Sequence, residues 1–242
     1  KEVAELARSG SPELTLASHR FRHAIKRAAG SPIRVIAECK KASPSKGLLR
    51  ARYEPASLAR ENRNAGASAL SVLTDREFFQ GCLEDLMAVI PVGLPVLRKD
   101  FVIDERQIFQ ARAAGADAVL LIVRILTPGQ LKDFYGIITG LGMDALVEVH
   151  DQREMEAALG IGADIIGINH RNLDTLEMDL SLTATLAPLA RAARPELVIV
   201  AESGVEDRSG IAAVDAHVDA VLIGTAFMQA KSIPAVWQEL FA

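Results

Sequence analysis

The sequence has few aromatics and almost no cysteine. Phe, Tyr and Trp make up 5% of its 242 residues, which leaves Val, Ile and Leu to carry the core. The two cysteines, Cys39 and Cys82, are too few for a disulfide framework or a zinc site. They fit a reducing cytoplasm, the expected location. Charge of either sign is not in excess: 27 Lys and Arg face 31 Asp and Glu, a net charge of −4. That balance gives no reason to expect nucleic acid or an anionic membrane as partner, though a local basic cluster at an anion site stays open. The longest apolar run, Ala118 to Val123, is far too short to span a bilayer. No signal peptide is visible at Lys1, and the lack of an initiator Met leaves room for a stretch upstream. His19, His23, His150 and His217 show no metal-ligand spacing, so no metal is expected.

What is there is a regular alternation. After a polar start, Thr15 to Ala29 places Phe21, Ala24, Ile25 and Ala28 on one helical face, and Gly30-Ser31-Pro32 stops it. This predicts a helix packed beneath or across the main domain. From Ile33 eight short apolar runs follow: Ile33–Cys39, Ala69–Leu73, Val96–Lys99, Ala118–Val123, Ala145–Val149, Ile165–Asn169, Val198–Glu202 and Ala220–Ile223. They lack strict alternation, as parallel strands buried on both faces do. Helices are expected between them over 55–65, 81–90, 104–114, 128–140, 151–160, 181–190, 206–215 and 233–241. No linker or change of composition interrupts the series. The expectation is one domain over 1–242, with 1–32 as an N-terminal helical extension.

Parity decides between an open sheet and a barrel. Gly115-Ala116-Asp117, Gly162-Ala163-Asp164 and Val218-Asp219 precede even-numbered runs, so the phrase returns every two βα units. The odd runs end in charge: Glu38 and Lys40, Lys99, Glu148, and Glu202. Alternate strands of a (β/α)8 barrel feed alternate layers of its interior. Charges ending all four odd strands therefore converge on one mouth. The expected fold is a (β/α)8 TIM barrel with an additional N-terminal helix.

Mixed ammonium and carboxylate groups in a partly dehydrated pocket shift one another's pKa values, which suits general acid–base chemistry. Lys99, Lys40, Glu148 and Glu38 are the candidates. Ser203-Gly204 follows the seventh run and Gly224-Thr225 the eighth, where barrels of this kind bind phosphate on backbone N–H groups. After the sixth run, Asn169 offers both donor and acceptor, and Arg171 a fork for carboxylate or phosphate. His170 points away from Asn169 and reads as structural. Cys39, between Glu38 and Lys40, faces the helices as a packed thiol. Ser43 and Ser45 have no partner base and read as loop hydrogen-bonders. The loop 43–47 is a candidate lid, with Lys46 reaching toward anionic groups of a ligand.

Six blocks carry a resemblance: Ala37-Glu38-Cys39-Lys40-Lys41-Ala42-Ser43-Pro44-Ser45-Lys46-Gly47, Ser71-Val72-Leu73-Thr74-Asp75, Lys99-Asp100-Phe101, Val147-Glu148-Val149, Gly167-Ile168-Asn169-His170-Arg171-Asn172-Leu173 and Ala201-Glu202-Ser203-Gly204-Val205. In this order they resemble the indole-3-glycerol phosphate synthases, carboxy-lyases of tryptophan biosynthesis. The resemblance implies a phosphorylated small-molecule substrate, 1-(2-carboxyphenylamino)-1-deoxyribulose 5-phosphate, and no cofactor. It implies Lys99 as the ring-closure acid, with Lys40 a rival for one acid step, and Glu148 as the acid–base residue of dehydration. Glu38 and Glu202 would support the pocket, while Asn169 and Arg171 would orient the substrate. Ser203, Gly204, Gly224 and Thr225 would hold its phosphate, and Phe101 and Leu173 its aromatic ring, with Ser43 in the binding loop. Thr225 departs from the family's common Ser or Glu, and His170 from a small polar residue. A monomer is the expected assembly.

Two alternatives stay open at this point. Phosphoribosylanthranilate isomerase, another phosphate-binding barrel, works through a Cys–Asp pair. A barrel that binds a phosphorylated ligand or a protein without turnover would not need Lys40, Lys99 and Glu148 together.

Overall fold

In a computed structural model, residues 19–173 and 175–241 are described. Eight parallel strands close into a barrel: β1 (Arg34–Cys39), β2 (Ala69–Leu73), β3 (Val96–Lys99), β4 (Ala118–Ile122), β5 (Asp144–Val149), β6 (Ile165–Asn169), β7 (Val198–Glu202) and β8 (Ala220–Ile223). Each strand pairs with the next, and β8 closes on β1 through Arg34↔Ala220 to Ala37↔Ile223. The helices are α1 (Arg20–Ile25), α2 (Pro55–Ala65), α3 (Leu83–Val89), α4 (Glu105–Ala113), α5 (Pro128–Gly140), α6 (Gln152–Gly160), α7 (Ser181–Ala193), α8 (Arg208–Val214), α9 (Thr225–Gln229) and α10 (Ile233–Phe241). The eight expected strands and the eight helices expected from residue 55 onward all form, with ends moved by three residues at most. Among the described residues no helix is long and apolar enough to cross a membrane.

The strands are buried on both faces, and the two faces serve different cores. Cys39, Val72, Val119, Val147, Ile166 and Ile199 pack outward with Leu58, Leu86, Ile108 and Leu186 of the helices. Ile36, Leu97, Leu120, Leu146, Ile165 and Val200 fill the barrel interior. The aliphatic runs without alternation follow from this double burial.

The lower end of the barrel is closed by α1. Phe21 and Ile25 are fully buried against the interior core. Asp144 at the start of β5 accepts the Arg22 backbone N–H at 2.9 Å and meets His19 Nδ1 at 2.8 Å, a carboxylate at a helix N-terminus. The helix expected over 15–29 is shorter at its end: Lys26 is extended. The Arg27 backbone N–H is drawn to Asp219 Oδ1 at 3.2 Å, and its guanidinium to the carbonyls of Ser31 and Asp215. The part of that expectation before His19 lies outside the described residues. The echoed aspartates have a common use here. Asp117 accepts the Val96 N–H, and Asp219 the Ile199 N–H, each at 2.9 Å, tying neighbouring strand starts together. Arg20 meets Asp117 at 3.1 Å, and Arg194 meets Asp164 at 2.8 Å.

Candidate active site

A cavity of about 360 Å³ opens at the C-terminal ends of the strands, and fourteen of the fifteen candidate residues named from the sequence line it, all but Lys46. Its base is made by the odd strands. Lys99 Nζ on β3 lies 3.3 Å from Glu148 Oε2 on β5 and 3.4 Å from Glu202 Oε2 on β7. Glu38 on β1 completes the layer: its Oε1 is 2.7 Å from Lys40 Nζ, and its Oε2 accepts from Ser71 Oγ at 3.5 Å. Asn169 Nδ2 donates to Glu148 Oε1 at 3.0 Å. The parity read from the sequence thus becomes a compact charged cluster.

The even strands leave room for it. A Cβ at Gly167 on β6 would collide with the Glu202 carboxylate, whose Cδ would be 3.0 Å away. At Gly224 a Cβ would fall 2.5 Å from Glu38 Oε1 and 3.0 Å from Lys40 Nζ. The sequence suggests Gly224 as a place for phosphate to approach; the structure adds that it makes space for the Glu38–Lys40 pair.

The carboxylates are pushed apart in acidity. Burial disfavours the Lys99 ammonium, but Glu148, Glu202 and Glu38 outweigh it and hold Lys99 above the usual lysine range. Burial also works against charge on Glu148. There Lys99, His150 and Asn169 prevail and keep it below the carboxylate range. For Glu202 burial wins, reinforced by Glu148 and Glu38, and its carboxyl rises well above that range. Among the described residues neither Glu202 oxygen meets good hydrogen-bond geometry, and its contact with Lys99 is a charge pairing at 3.4 Å. Two carboxyl groups separated in this way offer one base and one proton-holding group at one ammonium.

The rest of the cavity divides by chemistry. Ser203 and Gly204 follow β7 with φ of 67° and 75°. A left-handed serine is strained backbone of the kind found at functional loops. His170 braces it from behind. Its Nδ1 lies 2.9 Å from the Ser203 carbonyl, which can only accept, so Nδ1 carries the proton and Nε2 accepts from Thr183 Oγ1 at 2.6 Å. Burial lowers the His170 pKa, in keeping with a neutral ring of structural use. Gly224 and Thr225 begin α9, whose first N–H groups have no helical partner. The apolar wall holds Phe101, edge-on to Phe78 with centroids 5.9 Å apart and 6.3 Å from Phe79, with Leu173 beside the same interior core. Arg171 stands at the rim: its backbone N–H donates to Asn169 Oδ1 at 3.0 Å, and its Nη1 reaches the Leu176 carbonyl at 3.4 Å.

The 43–47 loop differs from the expected reach toward a ligand. Ala42–Ser43 and Gly47–Leu48 pair as a small hairpin, and Ser43 Oγ accepts the Lys46 N–H at 3.3 Å. Lys46 Nζ donates to both oxygens of Glu206, each at 2.9 Å, joining the loops after β1 and β7. Cys39 is fully buried in the outer core. Burial first, then Glu38 and Asp85, push its thiol up to about 12, which leaves it inert.

The family profile described as indole-3-glycerol phosphate synthase matches residues 2–240. The chain belongs to the indole-3-glycerol phosphate synthase family. It is 50% identical over 208 residues to the indole-3-glycerol phosphate synthase of Leptospira interrogans, covering 86% of this chain and 81% of that protein. It is 50% identical over 199 residues to that of Bordetella pertussis, covering 81% of this chain and 75% of that one. Its fold also resembles the N-acetylmannosamine-6-phosphate 2-epimerase from Clostridium perfringens, with a TM-score of 0.66 at 13% identity, over 90% of this chain and 93% of that one. That likeness concerns the barrel alone.

Sequence reasoning within the synthase family pattern missed several cavity residues. Leu120, Ile122 and Leu222 line it from the even strands, Phe78 and Phe79 from the loop after β2, and Glu206 from the loop after β7. Adjacent phenylalanines in a polar loop were a visible signal. His150 was also passed over; it lies two residues beyond Glu148 and four before Glu154, and contacts both.

Proposed function

We infer that the chain is an indole-3-glycerol phosphate synthase acting in tryptophan biosynthesis in the cytoplasm, on 1-(2-carboxyphenylamino)-1-deoxyribulose 5-phosphate. The observation that carries this is the convergence of one ammonium with two carboxyl groups of opposed acidity, Lys99 with Glu148 and Glu202, in a chain of this family.

The substrate's phosphate lies against Ser203-Gly204 and Gly224-Thr225, where backbone N–H groups and a helix N-terminus favour an anion. Its aromatic ring lies against Phe101 and Leu173, and its carboxylate near Asn169 and Arg171, with Ser43 in the loop above. Lys99 donates a proton to the carbonyl oxygen as the carboxylate-bearing ring carbon attacks the carbonyl carbon. That carbon–carboxylate bond then breaks, carbon dioxide leaves, and the bonding electrons return to the ring system. The new hydroxyl leaves as water, taking a second proton from Lys40, which Glu38 steadies, or from Lys99 once solvent has reprotonated it. Glu148 removes a proton from the neighbouring carbon to complete the indole. Two protons are delivered and one removed, so each turnover consumes one proton as the carboxylate's charge is lost. Every step uses side chains alone, and no cofactor enters. The working unit is one domain over 1–242, acting as a monomer.

The isomerase alternative loses its thiol, because Cys39 faces the helices and stays protonated. The test is to add the synthetic substrate to the purified protein and follow indole fluorescence together with carbon dioxide. Equal amounts of both are expected. Substrate left unchanged would reject the reading, and formation of no carbon dioxide alongside isomerised sugar would favour the alternative.

A further inference from the structure

His150 follows β5 directly, two residues beyond Glu148, and is buried. Its Nδ1 lies 2.9 Å from Glu154 Oε2 on α6, and its own backbone N–H donates to that same oxygen at 2.8 Å. The other Glu154 oxygen accepts from Arg124 Nε at 3.0 Å. Glu154 is therefore fixed from two sides and fixes the ring in turn. His150 Nε2 then points at the active-site cluster, 3.3 Å from Glu148 Oε1. The contact lies off the line of a hydrogen bond, and among the described residues Nε2 has no other partner. A buried imidazole clamped on one nitrogen and aimed at the key carboxylate with the other has no packing reason to be polar.

We propose that His150 is a positioning residue that keeps Glu148 ionised and oriented as the base of the dehydration step. The inference rests on the synthase reading above. When Lys99 gives up its proton during ring closure, Glu148 loses its nearest cation. Without another it would take up a proton before dehydration and could not act as base. His150 supplies the second cation from the helix side, outside the path of the substrate. The groups facing it set its charge. Glu148 and Glu154 favour the protonated ring; Lys99 and Arg124 stand behind those carboxylates, Asn169 shares Glu148, and Asp151 begins α6 beside it. Burial opposes the charge, but the two carboxylates prevail and raise His150 to about 9. A raised histidine is charged below that value and neutral above it.

The test is the pH dependence of kcat for the wild type, His150→Gln and Glu154→Gln, with the His150 ring titrated by NMR in the ligand-free proteins. The wild type is expected to lose kcat above about pH 9 as His150 loses its proton. In Glu154→Gln that loss, and the NMR midpoint, move to lower pH. In His150→Gln the loss is absent. Its acid limb, set by Glu148, moves up by about 1–3 pH units, the shift expected when an adjacent opposite charge is removed, and the species preceding dehydration accumulates. An unchanged profile in His150→Gln, or an alkaline limb that Glu154→Gln leaves in place, would overturn the proposal. Should His150→Gln fail to fold, Glu154→Gln and the NMR titration still decide it. No indole from the wild type would sink the synthase reading instead, while the NMR arm would still report on the His150 contacts.

Discussion

Gly167 is glycine because Glu202 occupies the place where its side chain would be. The two sit on adjacent strands, β6 and β7, and a Cβ at 167 would overlap the Glu202 carboxylate, with Leu146 Cδ1 3.3 Å behind it. The backbone at 167 is ordinary strand, so the constraint is space rather than conformation. Gly167→Ala must push Glu202 away from Lys99. Displacing a catalytic cluster by about 1 Å costs on the order of 10²-fold in rate, and overpacking costs about 1–3 kcal/mol. A double-mutant cycle checks the cause. In a Glu202→Ala background the alanine at 167 is expected to cost little stability, because the overlapping group is gone. Equal stability costs in both backgrounds would show that the two residues do not interact.

Lys99→Ala is expected to lower turnover by roughly 10²–10⁴-fold, the range for one well-placed acid. It also has a stability signature. It leaves Glu148, Glu202 and Glu38 in one buried layer without their shared cation. Removing one member of a buried ion pair costs about 3–5 kcal/mol. Here Glu202, whose carboxyl already lies well above the usual range, can escape part of that cost by holding a proton more firmly, while Glu148 keeps His150 and Glu38 keeps Lys40 beside it. The folded pKa of Glu202 then lies further above its unfolded value, so the variant gains stability relative to wild type as pH falls through that raised value and loses it as pH rises. Thermal melts of both proteins from pH 5 to pH 9 measure this. A gap in Tm that stays constant across that range would contradict the electrostatic account.

The eight strands were legible because each is an aliphatic run bounded by charge or glycine, and the barrel because the odd runs alone end in charge. Those same charges pointed to Lys99, Glu148, Glu38 and Glu202, since burying them needs a reason. Three things were not legible. The end of α1 depends on Asp219, a residue about 190 positions away that draws Arg27 out of the helix. Lys46 meets Glu206 across the mouth, a pairing no local spacing announces. His150 was judged by metal-ligand spacing, whereas its partners are carboxylates two and four residues away. Local pattern carried the elements and the rim; contacts between distant loops set the finer electrostatics.

Lys46 and Glu206 offer a last test, at the phosphate end of the cavity. Glu206 lines the cavity three residues beyond Ser203, where a dianionic phosphate would meet a carboxylate. Lys46, bonded to both of its oxygens, neutralises it. Both side chains are partly exposed, so the pair contributes at most about 1 kcal/mol to folding, and Lys46→Ala should hardly move Tm. Its effect belongs to substrate binding. Lys46→Ala exposes the Glu206 charge to the phosphate and is expected to raise KM severalfold with little change in kcat, most strongly at low ionic strength, where screening is weakest. Glu206→Ala removes the repulsion and frees the ammonium, so KM should fall or hold. The double variant lacks both charges and should return toward the wild-type value. If Lys46→Ala raises KM and the double variant raises it equally, Lys46 contacts the phosphate directly instead. If Lys46→Ala leaves KM unchanged at low salt, the ion pair has no part in binding.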